Sequence, residues 1–389
     1  MKPNLRHAVG SLLVVGLSGT ELTALERAWL KLVRPAGVIL FRRNISDAQQ
    51  TRSLLNESTA LCEPHSFRSV DVEGGTVDRL RDALAPMPSA QAVASAARAA
   101  VPRFQKRDLH TTDEGLSMGT PELGHTTGLA REHGELIARA VKAFGFNTTL
   151  APVLDLALPV SASVLGTRAA GATAQEVIDY ARGFLGGLAA QNVAGCGKHF
   201  PGLGGGSLDS HVETPAIHRG MRALQREDLA PYRALRNELP MVMVNHAAYP
   251  NTPGKNTPAS ASHYWITTVL RKRIGYRGII FSDDLEMGGI LKFMSIEEAT
   301  ISAIRAGMSV VEICHTPELI LRAYESLLAE AEHSAAFSKL LLARAQQTAL
   351  QRAKLFASGV PPALTGKQFE ALRERILRFT ETIQEAQTA

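Results

Sequence analysis

Cysteine is scarce. The chain has three, Cys62, Cys196 and Cys314, spread through 389 residues. They are far apart, show no CxxC spacing and leave an odd one, which excludes a disulfide scaffold and favours a reducing compartment. Aromatic residues make up only 5% of the chain, with two Trp, which speaks against a long aromatic-lined groove for an extended polymer. No stretch of about 18 uninterrupted apolar residues occurs, so no transmembrane helix is expected. Charge of neither sign dominates: 42 Lys+Arg face 37 Asp+Glu, a net of +5. The basic residues are scattered, and the densest run is Arg271-Lys272-Arg273. A nucleic-acid binder concentrates charge on one face or segment, so none is expected as a partner. The signatures HExxH and GxxxxGK[ST] are also missing, which removes the main supports for a zinc protease or a P-loop enzyme.

What is present suits a large core: 45% of the residues are hydrophobic, and this length needs no disulfide or metal staple. Lys2 and Arg6 precede an apolar stretch, Ala8 to Leu17, which looks like a short signal peptide. It runs instead into Ser18-Gly19-Thr20-Glu21 and a helical pattern (Leu22, Leu25, Leu30, Leu32), with no small-x-small cleavage site, so it reads as the first strand, at 10–15. Further strands are expected at 37–41, 69–72, 149–154, 193–197, 241–244, 278–281 and 309–313. Helical patterns lie between most of them, at 20–33, 46–57, 132–144, 174–190, 226–236, 262–274 and 295–306. This alternation predicts parallel strands with crossover helices. Eight units suggest an α/β fold of the (β/α)8 TIM-barrel type, with a doubly wound open sheet as the competing arrangement. We expect a catalytic barrel over 1–315 and a C-terminal helical extension over 316–389, broken by Pro361-Pro362 and packed on the barrel. Residues 99–127, of mixed polarity, read as an inserted loop.

Apolar runs repeatedly end in acids, Lys or His: Val70-Asp71-Val72-Glu73, Val153-Leu154-Asp155, Gly197-Lys198-His199, Val244-Asn245-His246 and Phe281-Ser282-Asp283-Asp284. In a parallel barrel all of these fall at the C-terminal rim, where active sites are built. After Lys198-His199 comes a glycine-rich segment, Gly202 to Gly206, and then Asp209-Ser210-His211. Asp209 can hydrogen-bond one imidazole nitrogen of His211 and raise the basicity of the other, leaving it to exchange protons with a substrate. Asp283 is suited to attack an anomeric carbon, but a helix N-cap or a metal ligand fits the residue type equally well. Asp71, His199, His246 and Asp283 are plausible metal-ligand types, which leaves a metal-dependent barrel hydrolase open, but clustered His spacing is missing and no cofactor is expected.

Taken together, these motifs resemble the β-N-acetylhexosaminidases of glycoside hydrolase family 3. The matching pieces are Lys198-His199-Phe200-Pro201-Gly202, Asp209-Ser210-His211, Ser282-Asp283, Val70-Asp71-Val72-Glu73-Gly74-Gly75, Ala151-Pro152-Val153-Leu154-Asp155, Leu40-Phe41-x-Arg43-Asn44 and, more loosely, Val164-Leu165-Gly166-x-Arg168. They cover about residues 8–315 in the family's order. The resemblance implies that Asp283 is the nucleophile, His211 the general acid/base and Asp209 its orienting partner. Asp71, Arg79, Arg168, Lys198 and His199 would then hold a small carbohydrate substrate. It implies release of terminal non-reducing N-acetylglucosamine with retention, and a cytoplasmic role in recycling cell-wall (muropeptide) fragments. A phosphorylase or a non-catalytic sugar-binding barrel on the same scaffold are the alternatives, and the oligomeric state is unspecified. The chain departs from the family pattern at Thr76, at Leu203 and in its last strand. There Met308-Ser309 follows Ala306-Gly307 where an Asp is common, and Glu312 lies inside the strand.

Overall fold

The computed structural model describes residues 4–99, 121–206 and 215–388. Eight parallel strands close into a barrel: β1 (Leu13–Gly16), β2 (Gly37–Leu40), β3 (Phe67–Val70), β4 (Thr148–Thr149), β5 (Ala194–Phe200), β6 (Met241–Val244), β7 (Ile279–Asp284) and β8 (Val310–Ile313). Each strand pairs with the next, and β8 returns to β1 through Leu13↔Val311, Val14↔Glu312 and Val15↔Ile313. The open-sheet alternative is thereby excluded. A short antiparallel hairpin, Val72–Gly74 with Val77–Asp78, follows β3.

The crossover helices start on local signals. Thr23 and Glu26, Thr173 and Glu176, and Ser295 and Glu298 each form a reciprocal capping box, at the helices Ala24–Val33, Ala174–Ala190 and Ile296–Ala306. Each box satisfies two of the backbone N–H groups that a helix start leaves free. Gly307 ends the last of these helices at φ 115°, a left-handed conformation that favours glycine, and turns the chain into β8.

Several expected boundaries move. β1 begins at Leu13, because Leu5–Gly10 forms a helical turn capped by the Asn4 side chain. β4 is two residues long, not six. Pro152 has no N–H to give to a ladder, and beyond Thr149 only a single bridge, Val153↔Lys198, continues the pairing. The helix expected from Glu132 begins at Pro121, while residues 100–120 of the anticipated loop lie outside the described residues. The pattern at 226–236 is broken into two short helices, Met221–Arg226 and Ala230–Ala234.

Alternation along each strand separates two apolar sets. Residues such as Val15, Val311 and Ile313 pack outward against the helices. Val14, Ile39, Phe67, Phe281 and Val310 fill the barrel. The helix Ala335–Leu355 seals the end away from the strand C-termini. Phe356 enters the interior cluster edge-on to Phe67, at 5.4 Å between centroids, and Arg352 donates to the carbonyl oxygens of Ala36 and Pro64. The helix Pro317–His333 packs on Ile296–Ala306, and Gly366–Thr388 packs on Ala90–Ala99. Among the described residues, no helix is long and apolar enough to cross a membrane.

Candidate active site

The C-terminal ends of the strands surround a cavity of about 200 Å³. That is smaller than the roughly 300–1,000 Å³ usual for drug-sized ligands. Asp71, Arg79, Arg168, Lys198, His199 and Asp283 all line it. Six of the eight residues singled out in the sequence therefore converge. The other two, Asp209 and His211, lie outside the described residues. The described chain leaves the cavity edge at Leu203, runs to Gly206 and resumes at residue 215.

One wall is a closed ionic network. The turn Gly166–Arg168 presents Arg168, whose Nε and Nη2 donate to the two carboxylate oxygens of Glu73, each at 2.8 Å. Glu73 reaches this point because the hairpin after β3 turns it inward, where it is 4% exposed. Lys198, on β5, lies 2.8 Å from Asp71 and 2.7 Å from Glu73. Burial by itself would raise the Glu73 carboxyl, but Arg168 and Lys198 outweigh it and hold the group far below the usual carboxylate range. Burial would likewise lower Lys198, and Asp71 and Glu73 reverse this, so the ammonium stays charged. Arg79 also lines the cavity, and its Nε has no hydrogen-bond partner among the described residues.

His199 is fixed from behind. Asp155 accepts from the His199 backbone N–H at 3.2 Å, meets its Nδ1 at 2.6 Å and accepts the Leu203 N–H at 2.7 Å. A carboxylate can only accept, so Nδ1 carries the hydrogen and Nε2 is turned to the cavity, 3.4 Å from Arg168 Nη2. Lys198 and His199 are joined by a cis peptide bond, and both line the cavity.

The opposite wall comes from β7 and β8. Asp283 accepts the Asp284 backbone N–H at 3.0 Å. Burial opposes its charge, yet His199, His246, Lys198 and that N–H together lower its pKa, so it stands ionised. His246 is held by a bond from Nε2 to the Asp284 carbonyl oxygen (2.9 Å) and by Ser260 Oγ at Nδ1 (2.7 Å). Asp284 also faces His315 Nε2 at 3.4 Å. Among the described residues, no group of three or more His, Cys, Asp or Glu side chains is arranged to hold a metal ion.

Glu73, Asp155 and Asp284 carry no individual role in the sequence pattern, and His246 carries only that of a metal-ligand type. All four stood at the ends of apolar runs, and that position was the available signal. Their partners are distant in the chain, so the pairing itself was not visible.

An ionised carboxylate at one wall, facing fixed cations and donors across a small cavity, can act on a polar ligand that develops positive charge. Residues 4–343 match the model of the glycosyl hydrolase family 3 N-terminal domain. A beta-hexosaminidase of Alkalilimnicola ehrlichii is 35% identical over 309 residues, which is 79% of this chain and 82% of that protein. A family 3 beta-N-acetylglucosaminidase structure from Paenibacillus sp. aligns at TM-score 0.79 and 28% identity, covering 96% of this chain and 68% of that one. NagZ of Neisseria gonorrhoeae, in complex with N-trifluoroacetyl-D-glucosamine, aligns at TM-score 0.74 and 27% identity, covering 95% and 97%.

Proposed function

This chain belongs to glycosyl hydrolase family 3, and we propose that within it the protein is a retaining β-N-acetylhexosaminidase that releases terminal N-acetylglucosamine from small glycosides. The observation that carries the reading is Asp283, a half-buried carboxylate kept ionised at the wall of a cavity with room for one small polar ligand. In the first step an Asp283 oxygen bonds to the anomeric carbon while the bond to the leaving oxygen breaks. His211, oriented by Asp209, gives its proton to that oxygen. In the second step His211 takes a proton from water, the water oxygen bonds to the anomeric carbon, and the Asp283 carboxylate leaves. Two inversions give net retention. Asp71, Arg79, Arg168, Lys198 and His199 hold the sugar.

We place this machinery in residues 1–315 and read 316–389 as a helical extension that supports it. The substrates we assign are cell-wall (muropeptide) fragments handled in the cytoplasm. All three cysteines are free and buried, which fits a reducing compartment.

The test is a substrate panel: an aryl N-acetylglucosaminide, its glucoside and N-acetylgalactosaminide counterparts, and a muropeptide, followed by NMR in phosphate and in phosphate-free buffer. Free β-N-acetylglucosamine as the first product is expected. Sugar 1-phosphate would instead assign a phosphorylase, an α-anomer would refute retention, and no turnover of any substrate would leave a binding barrel.

A further inference from the structure

β8 carries one residue that its surroundings do not call for. Val311 and Ile313 point outward into the helix-facing core, while Val310 and Cys314 point into the barrel. Glu312 falls on the inward side, at 2% exposure. Barrel interiors are filled by bulky apolar side chains, and an apolar residue of similar size would serve the fold at least as well as an acid.

The side chain does nothing visible for the fold. The Glu312 backbone is fully used: its N–H donates to Ser282 Oγ and its carbonyl accepts the Leu285 N–H. Its Oε1 is buried with no hydrogen-bond partner among the described residues. Lys198, the cation of the same cavity, is engaged by Asp71 and Glu73. Yet Glu312 lines the cavity together with Asp283 and Asp71. Burial, reinforced by Asp71, Asp284 and Asp283, holds its carboxyl well above the usual range, so it is a neutral acid with one O–H to give and a carbonyl to accept. A buried polar atom left without a partner calls for a group that arrives from outside.

We propose that Glu312 is a specificity-determining residue: from the cavity wall beside Asp283 its carboxyl group hydrogen-bonds a hydroxyl of the terminal sugar. This rests on the reading that the cavity is the sugar subsite. Glu312 lies inside β8, in register with Asp284 of β7, and so stands on the cavity wall beside Asp283. A sugar hydroxyl both donates and accepts, and so pairs with a neutral acid in either sense.

The experiment measures kcat/KM for an aryl N-acetylglucosaminide and its 3-, 4- and 6-deoxy analogues with wild type, Glu312→Gln, Glu312→Leu and Glu312→Met. Wild type should penalise the loss of one particular hydroxyl by about tenfold. Glu312→Gln, which still donates and accepts, should keep most of that penalty. Glu312→Leu and Glu312→Met should abolish it, because the hydroxyl then has no partner to lose, and having two apolar variants guards against one that fails to fold. A wild-type-sized penalty at every ring position in a folded apolar variant overturns the assignment. If wild type cleaves none of these glycosides, or Asp283→Asn cleaves them as fast, the sugar-subsite reading fails and takes the proposal with it. If wild type cleaves them, Asp283→Asn does not, and Glu312→Leu still discriminates, the role of Glu312 alone is refuted.

Discussion

The two walls of the cavity are built on opposite terms. On one, Glu73, Asp71, Arg168 and Lys198 neutralise one another, and Asp155 takes up the inner nitrogen of His199. On the other, Asp283, Asp284 and Glu312 stand together with no cation of their own strands among them, and the Oε1 of Glu312 has no partner among the described residues. A saturated network holds shape and presents fixed donors. An unsaturated carboxyl group has something left to bind, or a bond left to make. The difference assigns positioning to the β3–β5 side and chemistry to the β7–β8 side.

The largest effect should come from the unsaturated wall. Asp283→Asn keeps the shape and removes the attacking oxygen's charge, so kcat should fall roughly 10⁴-fold or more with a minor change in KM. Unfolding should stay close to wild type, since the substitution leaves no uncompensated charge behind. A loss of less than tenfold would remove Asp283 from the nucleophile's place.

Glu73→Gln attacks the saturated wall and should read out differently. It leaves Arg168 beside a neutral amide and Lys198 with Asp71 alone, and breaking a buried pair in this way costs about 3–5 kcal/mol. Urea denaturation should show that loss at neutral pH, with the activity change carried mainly by KM. Stability unaltered in Glu73→Gln, with kcat collapsing as in Asp283→Asn, would erase the distinction between the walls.

The barrel and its rim were legible because they rest on local signals. Alternating apolar runs and helical patterns gave the eight units, and polar residues at the strand ends gave Asp71, Lys198, His199 and Asp283. What the chain order hid is tertiary. Glu73 and Arg168 are 95 positions apart, Asp155 and His199 are 44 apart, and nothing local joins them. β4 is shorter than its apolar run because Pro152 cannot donate to a ladder. Phe356 sat in an unremarkable helical tail, and only its packing on Phe67 shows that it closes the barrel. Glu312 was noticed as an oddity inside a strand, but its significance needed the inward direction of that position and the missing partner of Oε1.

The smallest expected effect gives the walls opposite signs in pH. Glu73 titrates below its ordinary value of 4.5. Its contribution to stability is therefore complete above about 4.5 and is lost as pH falls toward its folded-state pKa, with a slope of roughly 1.4 kcal/mol per pH unit. Glu312 titrates well above 4.5. Its contribution is complete below about 4.5 and is lost as pH rises toward its own folded-state pKa, because the unfolded chain gives up that proton first. Urea denaturation of wild type, Glu73→Gln and Glu312→Gln between about pH 3.5 and 8 separates the two. Relative to wild type, Glu73→Gln should lose the acid-side decline, and Glu312→Gln should gain steadily toward neutral pH. Parallel curves for Glu312→Gln and wild type would mean that Glu312 ionises in the folded protein as it does in the unfolded chain. The β8 side of the cavity would then be paired after all, and the contrast between the walls would reduce to the placement of Asp283.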